Sequence, residues 1–170
     1  QGPLHLASND FETTHDSNSM NVHRDTIKLR TKEFCEFVDL TDNVEKFLNK
    51  SGIKQGVVSI HSKHTTLTIR VNERETGLIA DFKDFMTKLI PKDNYYRHND
   101  LNVRTENLVC DPNASDCLNA HSHIGHLFMG TSEFLPVVDG KLMLGTWQRI
   151  FAIELDCARN REVFLQVMVA

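Results

Sequence analysis

Histidine is concentrated in the middle of this chain. The segment Asn119–His126 reads NAHSHIGH and holds three of the nine histidines. Six of the nine lie between residues 61 and 126, namely His61, His64, His98, His121, His123 and His126. Neutral imidazole is the commonest metal ligand and a frequent general acid or base. The set therefore predicts a metal or catalytic site, although any single histidine taken alone is better explained as an ordinary surface or core residue.

A transition metal is the ion expected for such a cluster. Zn²⁺ and its neighbours accept imidazole, whereas Mg²⁺ prefers oxygen, and three histidines with one open position form a known catalytic zinc arrangement. No His-Glu-x-x-His motif is present. On a helix His123 and His126 share a face, and His121 points away from His123. On an extended segment His121 and His123 share a face instead, so the choice of ligands stays open.

A strand with one polar face is predicted to begin at His64. Residues 64–72 read HTTLTIRVN, with polar residues at the even positions and apolar residues at 67, 69 and 71. Because strand side chains alternate, the odd positions face the core and the even positions form a polar row. Asn72 and Glu73 follow at its end. Glu73 is interpreted either as an acid favoured at a helix N-terminus or as a base or orienting partner for a histidine.

The only tryptophan lies in the segment GTWQR, residues 145–149. An aromatic residue there is commonly a core or interface residue. The functional interpretation is that Thr146, Trp147 and Gln148 line a pocket and bind a heterocycle.

The pattern of apolar residues predicts the elements that position these groups. Strands are predicted at 25–31, 56–62 and 64–72 and through the C-terminal third, and helices at 42–52, 78–90 and 118–129. Asp139-Gly140 between two apolar runs predicts a type I′ hairpin. The predicted class is α+β, a largely antiparallel sheet with two to three packed helices. Residues 92–115 have no clear period, which favours a functional or covering role.

Composition excludes several functional classes. The formal net charge of −4 gives no electrostatic case for nucleic-acid binding, and no apolar run is long enough to cross a bilayer. Residues 1–23 resemble an expression-vector remnant and a polar tail without fixed structure, which leaves 24–170 as one domain. With no secretory signal pattern, we expect a cytoplasmic protein with reduced cysteines. A Cys110–Cys117 disulfide is the less favoured alternative.

Five segments resemble one family in the order in which they occur. They read HTTLTIRVNE, YYRHND, NAHSH, MGTSEFLPVVDGKLMLGTWQRIFAIELD and EVFLQVMV. The chain, over about residues 24–170, resembles the secondary thiamine-phosphate synthase family, also called YjbQ-like. This resemblance implies a small α+β domain that assembles as a homotrimer, with a site near the subunit boundaries.

The resemblance also implies the site residues. The positions that the family marks fall on His64, Asn72, Glu73, His98 and His123. We therefore expect Glu73, Asn72 and His64 to be catalytic. We expect Thr65, Thr66, Arg70, Thr146, Trp147 and Gln148 to contact the substrate. His64, His98 and His123 are the expected metal ligands with His121 as a further candidate, and the roles of His61 and His126 stay open, as does the choice of a role for His121.

The activity implied is that of a transferase that joins a pyrimidine diphosphate to a thiazole phosphate and releases pyrophosphate. The leaving diphosphate needs cationic stabilisation. Mg²⁺ is its usual partner, yet the histidines favour Zn²⁺ or another transition metal, and no Walker-type phosphate loop is present. The broader hypothesis is a histidine- or metal-dependent reaction on a phosphorylated small molecule. The alternatives are a non-enzymatic metal- or anion-binding trimeric module and a structural trimer with interface histidines.

Overall fold

Two antiparallel sheets form the frame of the computed structural model, which describes residues 21–108 and 118–170. The strands are β1 (Val22–Arg30), β2 (Phe37–Asp39), β3 (Gly56–Ser62), β4 (Leu67–Glu73), β5 (Ser132–Val138), β6 (Lys141–Leu142), β7 (Gln148–Glu154) and β8 (Asn160–Val169). The helices are α1 (Thr41–Ser51), α2 (Thr76–Leu89) and α3 (Ala120–Met129). The strand orders are β1-β8-β3-β5-β6 and β2-β7-β4, which confirms the predicted α+β class.

The main core lies between the two sheets and under α1. On β3 every second residue is buried, so Val58 and Ile60 face inward. Leu67 and Ile69 on β4 meet them from the second sheet. Helix α1 covers the sheets with the buried side chains Val44, Phe47 and Leu48, which follow the i, i+3, i+4 spacing of one helical face.

The Asp139-Gly140 turn forms as its sequence predicts. Asp139 has φ 50° and Gly140 has φ 76°, and a type I′ turn requires positive φ at both central residues. The turn joins β5 to β6, with Val138 opposite Lys141. The hairpin prediction is therefore confirmed.

The even face of β4 differs from its prediction. The strand begins at Leu67 rather than His64, and Thr66 and Thr68 are buried. The Thr68 hydroxyl donates to the Gly130 carbonyl at 2.6 Å, so the end of α3 covers this side of the strand. The predicted polar row is therefore covered rather than open in this half, because hydroxyl groups can be buried wherever a hydrogen-bond partner is supplied.

Helix α2 buries less of its apolar face than its sequence suggests. Met86 is buried and Phe82 packs edge-to-face on Phe37 at 5.4 Å. Phe85 and Leu89, however, are 58% and 51% exposed. The acid that begins α2 is Glu75, whose carboxylate accepts the backbone N–H groups of residues 77 and 78. An acid therefore does lie at the N-terminus of α2, but it is Glu75 and not Glu73.

The remaining expectations concern the domain boundary, the cysteines and membrane-spanning segments. β1 begins at Val22 and pairs there with β8, two residues before the expected domain boundary. Residues 1–20, Cys110 and Cys117 lie outside the described residues, within which Cys35 and Cys157 are free thiols. None of the described helices is both long enough and apolar enough to span a membrane.

Candidate functional site

Helix α3 separates the three histidines of NAHSHIGH. The helix begins at Ala120, so both His121 and His123 are helical, and the helical alternative of the prediction applies. The His121 ring packs edge-to-face on Phe34, with centroids 5.8 Å apart, whereas His123 faces His98. His126 lies buried near Arg161.

The pair formed by His98 and His123 is the centre of the candidate site. Their ring centroids are 4.7 Å apart with an interplanar angle of 66°. A short 3-10 turn, Arg97–Asn99, carries His98 to the start of α3, and the Asn99 side chain accepts the Ala120 N–H at 3.0 Å. The described part of the irregular segment therefore docks on the N-terminus of α3.

One ring nitrogen of His98 lies near both a hydrogen-bond acceptor and a hydrogen-bond donor. The Asn119 amide donates to Asp156 Oδ2 at 2.8 Å, so its Oδ1 can only accept. His98 Nε2 lies 3.3 Å from this Oδ1 and also 3.3 Å from Arg104 Nη1. The first contact needs a proton on Nε2 and the second needs a lone pair. Each contact therefore requires a different state of the Nε2 atom, protonated for Asn119 and unprotonated for Arg104, and the two neutral tautomers of the ring provide both states.

Arginine side chains supply the positive charge around this pair. Arg104 donates to the backbone carbonyls of His98 and Asn107 at 3.3 and 2.9 Å and thereby closes the loop around a cavity of about 340 Å³. Arg159 pairs with Asp156 at 2.9 Å. The His98–Asn119–Asp156–Arg159 series thus links the loop to the β7–β8 turn.

Burial holds His123 in its neutral form. Desolvation lowers its pKa most, and the neighbouring His98 lowers it further while Asp156 opposes both. The His123 ring makes no hydrogen bond to residues 21–108 or 118–170. A neutral imidazole with free nitrogens can accept a proton or bind a metal.

His64 lies at a different cavity. It lines a space of about 570 Å³ together with Lys28 and Arg30. Its Nε2 accepts the Glu162 N–H at 3.0 Å, and because an amide can only donate, the neutral ring carries its proton on Nδ1. Burial lowers its pKa. In this conformation His64 offers a hydrogen-bond donor, not a metal-binding lone pair.

A closed ion pair lies next to the site. Glu154 and Arg161 are 0% and 4% exposed. Arg161 donates to both Glu154 carboxylate oxygens and to the Thr66 hydroxyl. Thr31 also donates to Glu154 at 2.6 Å. Thr66, expected to contact the substrate, is thus a partner of this ion pair.

The other residues predicted to be functional are dispersed. Asn72 and Glu73 are exposed at the end of β4, and Arg70 pairs with Glu133 at 3.1 Å. Gln148 accepts the Gly145 N–H and so shapes its own turn. Thr65, Thr146 and Trp147 are exposed. None of these residues lies at the His98–His123 pair within one chain.

The predicted metal ligands do not form a complete set among the residues of one chain that the structure describes. The described residues contain no group of three or more His, Cys, Asp or Glu side chains placed to hold an ion. The His98–His123 pair could supply two imidazoles, whereas a catalytic zinc site takes three protein ligands.

Sequence reasoning missed Asn119, Asp156 and Arg104. Glu154 ends β7 after the apolar residues 150–153, and Asp156 follows the strand. A carboxylate next to an apolar run signals a buried partner. That signal could have drawn attention to ELDCAR. No comparable local signal marks Arg104 in its irregular segment.

Comparison with known proteins agrees with the YjbQ-like part of the resemblance found in the sequence. The family profile described as "UPF0047 protein YjbQ-like" matches residues 25–170. A UPF0047 protein of Methanothermobacter thermautotrophicus is 34% identical over 87% of this chain and 93% of its own. One from Archaeoglobus fulgidus is 34% identical over 84% and 98%.

Solved structures give the same result. A YbjQ-like protein of unknown function from Sulfolobus solfataricus is 34% identical, with a TM-score of 0.74 over 88% of this chain and 98% of that one. A YjbQ/UPF0047 protein from Clostridium acetobutylicum is 30% identical, with a TM-score of 0.71 over 84% and 98%. The chain therefore belongs to the YjbQ-like UPF0047 family.

Proposed function

We propose that the chain is an enzyme that binds a phosphorylated small molecule at His98 and His123 and transfers a group from it. The observation that carries the proposal is the pairing of these two imidazoles beside Arg104. Proton-transfer groups beside a fixed cation are the components that departure of a phosphorylated leaving group requires.

His98 is suited to moving a proton. With Nε2 protonated it donates to Asn119, and with Nε2 deprotonated it accepts from Arg104. Both partners are already in place, so little reorganisation separates the two states. His123, neutral because it is partly buried, is the proposed acceptor of a proton from the substrate.

The proposed reaction is the one that the family resemblance implies. The thiazole ring nitrogen, which carries no proton, forms a bond to the pyrimidine's side-chain carbon, the bond from that carbon to the diphosphate oxygen breaks, and pyrophosphate leaves. His123 would take a proton from an amino group on the pyrimidine as the carbon–oxygen bond breaks and return it once the carbon–nitrogen bond has formed. Arg104 and the protonated form of His98 would stabilise the negative charge that develops on the leaving group. This assignment rests on the resemblance, and the arrangement of His98, His123 and Arg104 is compatible with it.

The proposal extends to a divalent transition metal bound between the subunits of a homotrimer. His98 and His123 would supply two ligands, and His64 of a neighbouring copy would supply the third. For this His64 must give up the Glu162 N–H or turn its ring. The exposed apolar side chains of α2, Phe85 and Leu89, give a trimer a surface to bury. Mg²⁺ bound with the diphosphate is the alternative, and the proposed location is the cytosol.

Turnover tests this proposal directly. The purified chain is mixed with the pyrimidine diphosphate and the thiazole phosphate, and thiamine phosphate and pyrophosphate are measured by mass spectrometry, with and without added Zn²⁺ or Mg²⁺. We expect His123→Ala to lower kcat by about a hundredfold or more, the usual range for losing a general acid or base.

The matched control is His23→Ala, which removes an exposed histidine from β1 and should leave kcat unchanged. Equal loss of activity in both variants would overturn the assignment to His123. If pyrophosphate binds and His123→Ala abolishes binding, but no substrate pair turns over, the non-enzymatic anion-binding module is the correct function.

A further inference from the structure

A third cavity is lined in part by Asp156. It has a volume of about 450 Å³ and lies between the end of α2, the start of α3 and the β7–β8 turn. We refer to it as the α2–α3 cavity. Cavities of this size that are mainly apolar with a few polar groups are typical small-molecule sites. Neither His98 nor His123 lines it.

One wall of the α2–α3 cavity is apolar. Phe34, Ile90 and Leu118 line it, and the Phe34 ring is already held edge-to-face by His121. Ile90 is buried in the adjoining cluster around Met86. An apolar wall that includes a fixed aromatic ring favours a planar ring in the ligand.

Two buried polar groups line the cavity, and one of them has a ring nitrogen without a hydrogen-bond partner among the described residues. His121 is 8% exposed, and its Nδ1 has no partner among the described residues. Asp156 is 7% exposed, and its Oδ2 accepts hydrogen bonds from Asn119 and Arg159. The Asp156 carboxylate lines the cavity, where it can accept a hydrogen bond from a ligand. A buried polar group without a partner destabilises the fold, so a ligand that supplies a donor here gains affinity.

Lys92 adds a cation to the lining of the cavity. It follows α2 and is exposed. A lysine in that place attracts a carboxylate or a phosphate through a flexible charge. The cavity thus combines an apolar wall, a buried acceptor and a cation.

We propose that the α2–α3 cavity is a binding site for a planar aromatic or heteroaromatic amine that carries an anionic group. The ring packs on Phe34, the amine donates to Asp156, and the anionic group meets Lys92. The inference goes beyond the proposed transfer reaction and does not depend on it. Because Asn119 joins Asp156 to His98, occupation of the cavity is linked by hydrogen bonds to the histidine pair.

Cys157 provides a direct measurement. It is exposed, and it lines the cavity, whereas burial raises the pKa of Cys35 to about 12 and leaves that thiol unreactive. Maleimide labelling of the full chain is followed in a Cys110→Ser/Cys117→Ser background. The probe is 4-aminobenzoate, which joins a ring, an amine and a carboxylate.

A ligand this small is expected to bind with a Kd of about 1 mM. At about 10 mM it should therefore slow labelling of Cys157 about tenfold. Benzoate, without the amine, and aniline, without the carboxylate, should protect less. Lys92→Ala should weaken protection by 4-aminobenzoate and leave that by aniline unchanged.

Blocking the cavity separates binding there from binding elsewhere. Thr87→Trp places a large ring at the lining from an exposed position on α2 and should abolish protection. Lys88→Trp, at the next and also exposed position, is the matched control and should leave protection intact. Unchanged labelling in the presence of 4-aminobenzoate, or equal protection in Thr87→Trp and Lys88→Trp, would overturn the proposal. Both results are independent of thiamine phosphate turnover.

Discussion

Two polar clusters lie side by side in this fold and differ in how fully their hydrogen bonds are satisfied. In the Glu154–Arg161 pair, both carboxylate oxygens are occupied by the guanidinium, and Thr31 and Thr66 add further bonds. In the His98–His123 pair, one nitrogen has two incompatible partners and the His123 ring has none among the described residues.

The number of unused hydrogen-bonding positions distinguishes polar groups that stabilise the fold from those that are available for chemistry. A saturated buried ion pair has no capacity left for a substrate, and removing one member leaves an uncompensated charge. An unsaturated imidazole pair contributes little to stability and can still bind or exchange a proton. Removing a member of the ion pair should therefore lower stability. Removing a member of the imidazole pair should instead lower activity and leave stability nearly unchanged.

The largest expected effect is on the ion pair. Arg161→Met should lower the free energy of unfolding by about 3–5 kcal/mol, because it leaves the Glu154 carboxylate buried without its cation. Urea denaturation monitored by circular dichroism measures this. The double variant Glu154→Leu/Arg161→Met should recover most of the loss, and a double variant as unstable as the single one would contradict the charge argument.

The next prediction compares the loss of stability caused by a substitution in the core with that caused by one in the candidate site. Leu67→Ala should cost about 2–5 kcal/mol, because Leu67 is fully buried between the sheets. His123→Ala, in protein stripped of metal, should cost less than about 1 kcal/mol, since the ring is half-buried and has no described hydrogen-bond partner. Thermal and urea unfolding of both variants give the comparison. Equal losses would make His123 a structural residue and remove the contrast between the clusters.

Lowering the pH should reduce the free energy of unfolding, because four histidines are buried or half-buried and have lowered pKa values. Burial lowers the pKa values of His64, His121, His123 and His126 below the ordinary 6.5. Below 6.5 the unfolded chain binds protons that the folded chain does not, so the stabilisation present above that pH is lost as the pH falls towards the folded-state pKa values.

The measurement is the free energy of unfolding between about pH 7.5 and pH 5. His121→Phe removes one of these groups and keeps a ring against Phe34, so its stability should fall less steeply with acid. His23→Ala, which removes an exposed histidine, is the control. Stability that is constant across the range would show that the buried histidines are not held neutral.

The smallest expected effect concerns the attachment of α3. Thr68→Val removes the hydroxyl that bonds the Gly130 carbonyl and should cost about 1 kcal/mol. Thr87→Val removes a comparable hydroxyl from an exposed position on α2 and should cost less. Hydrogen exchange at the end of α3 should rise in the first variant only. Without such a rise, the hydroxyl does not anchor the helix that carries His123.

Local features of the fold were determined by the sequence itself. The range of β3 was predicted to the residue, and the Asp139-Gly140 hairpin and α1 followed from turn chemistry and apolar spacing. These features depend on neighbours a few residues apart, so a short window of sequence holds the necessary information.

The tertiary structure alone decided which polar groups meet. His98 and His123 come together because a 3-10 turn docks on the start of α3, and the burial of Thr68 follows from the position of the last turn of that helix. Alternation along β4 identified two faces but not what would cover them. The same residue types in NAHSHIGH became a partner of Phe34, a partner of His98 and a buried neighbour of Arg161. Long-range packing, which no local spacing encodes, determines the environment of each imidazole and therefore its chemistry.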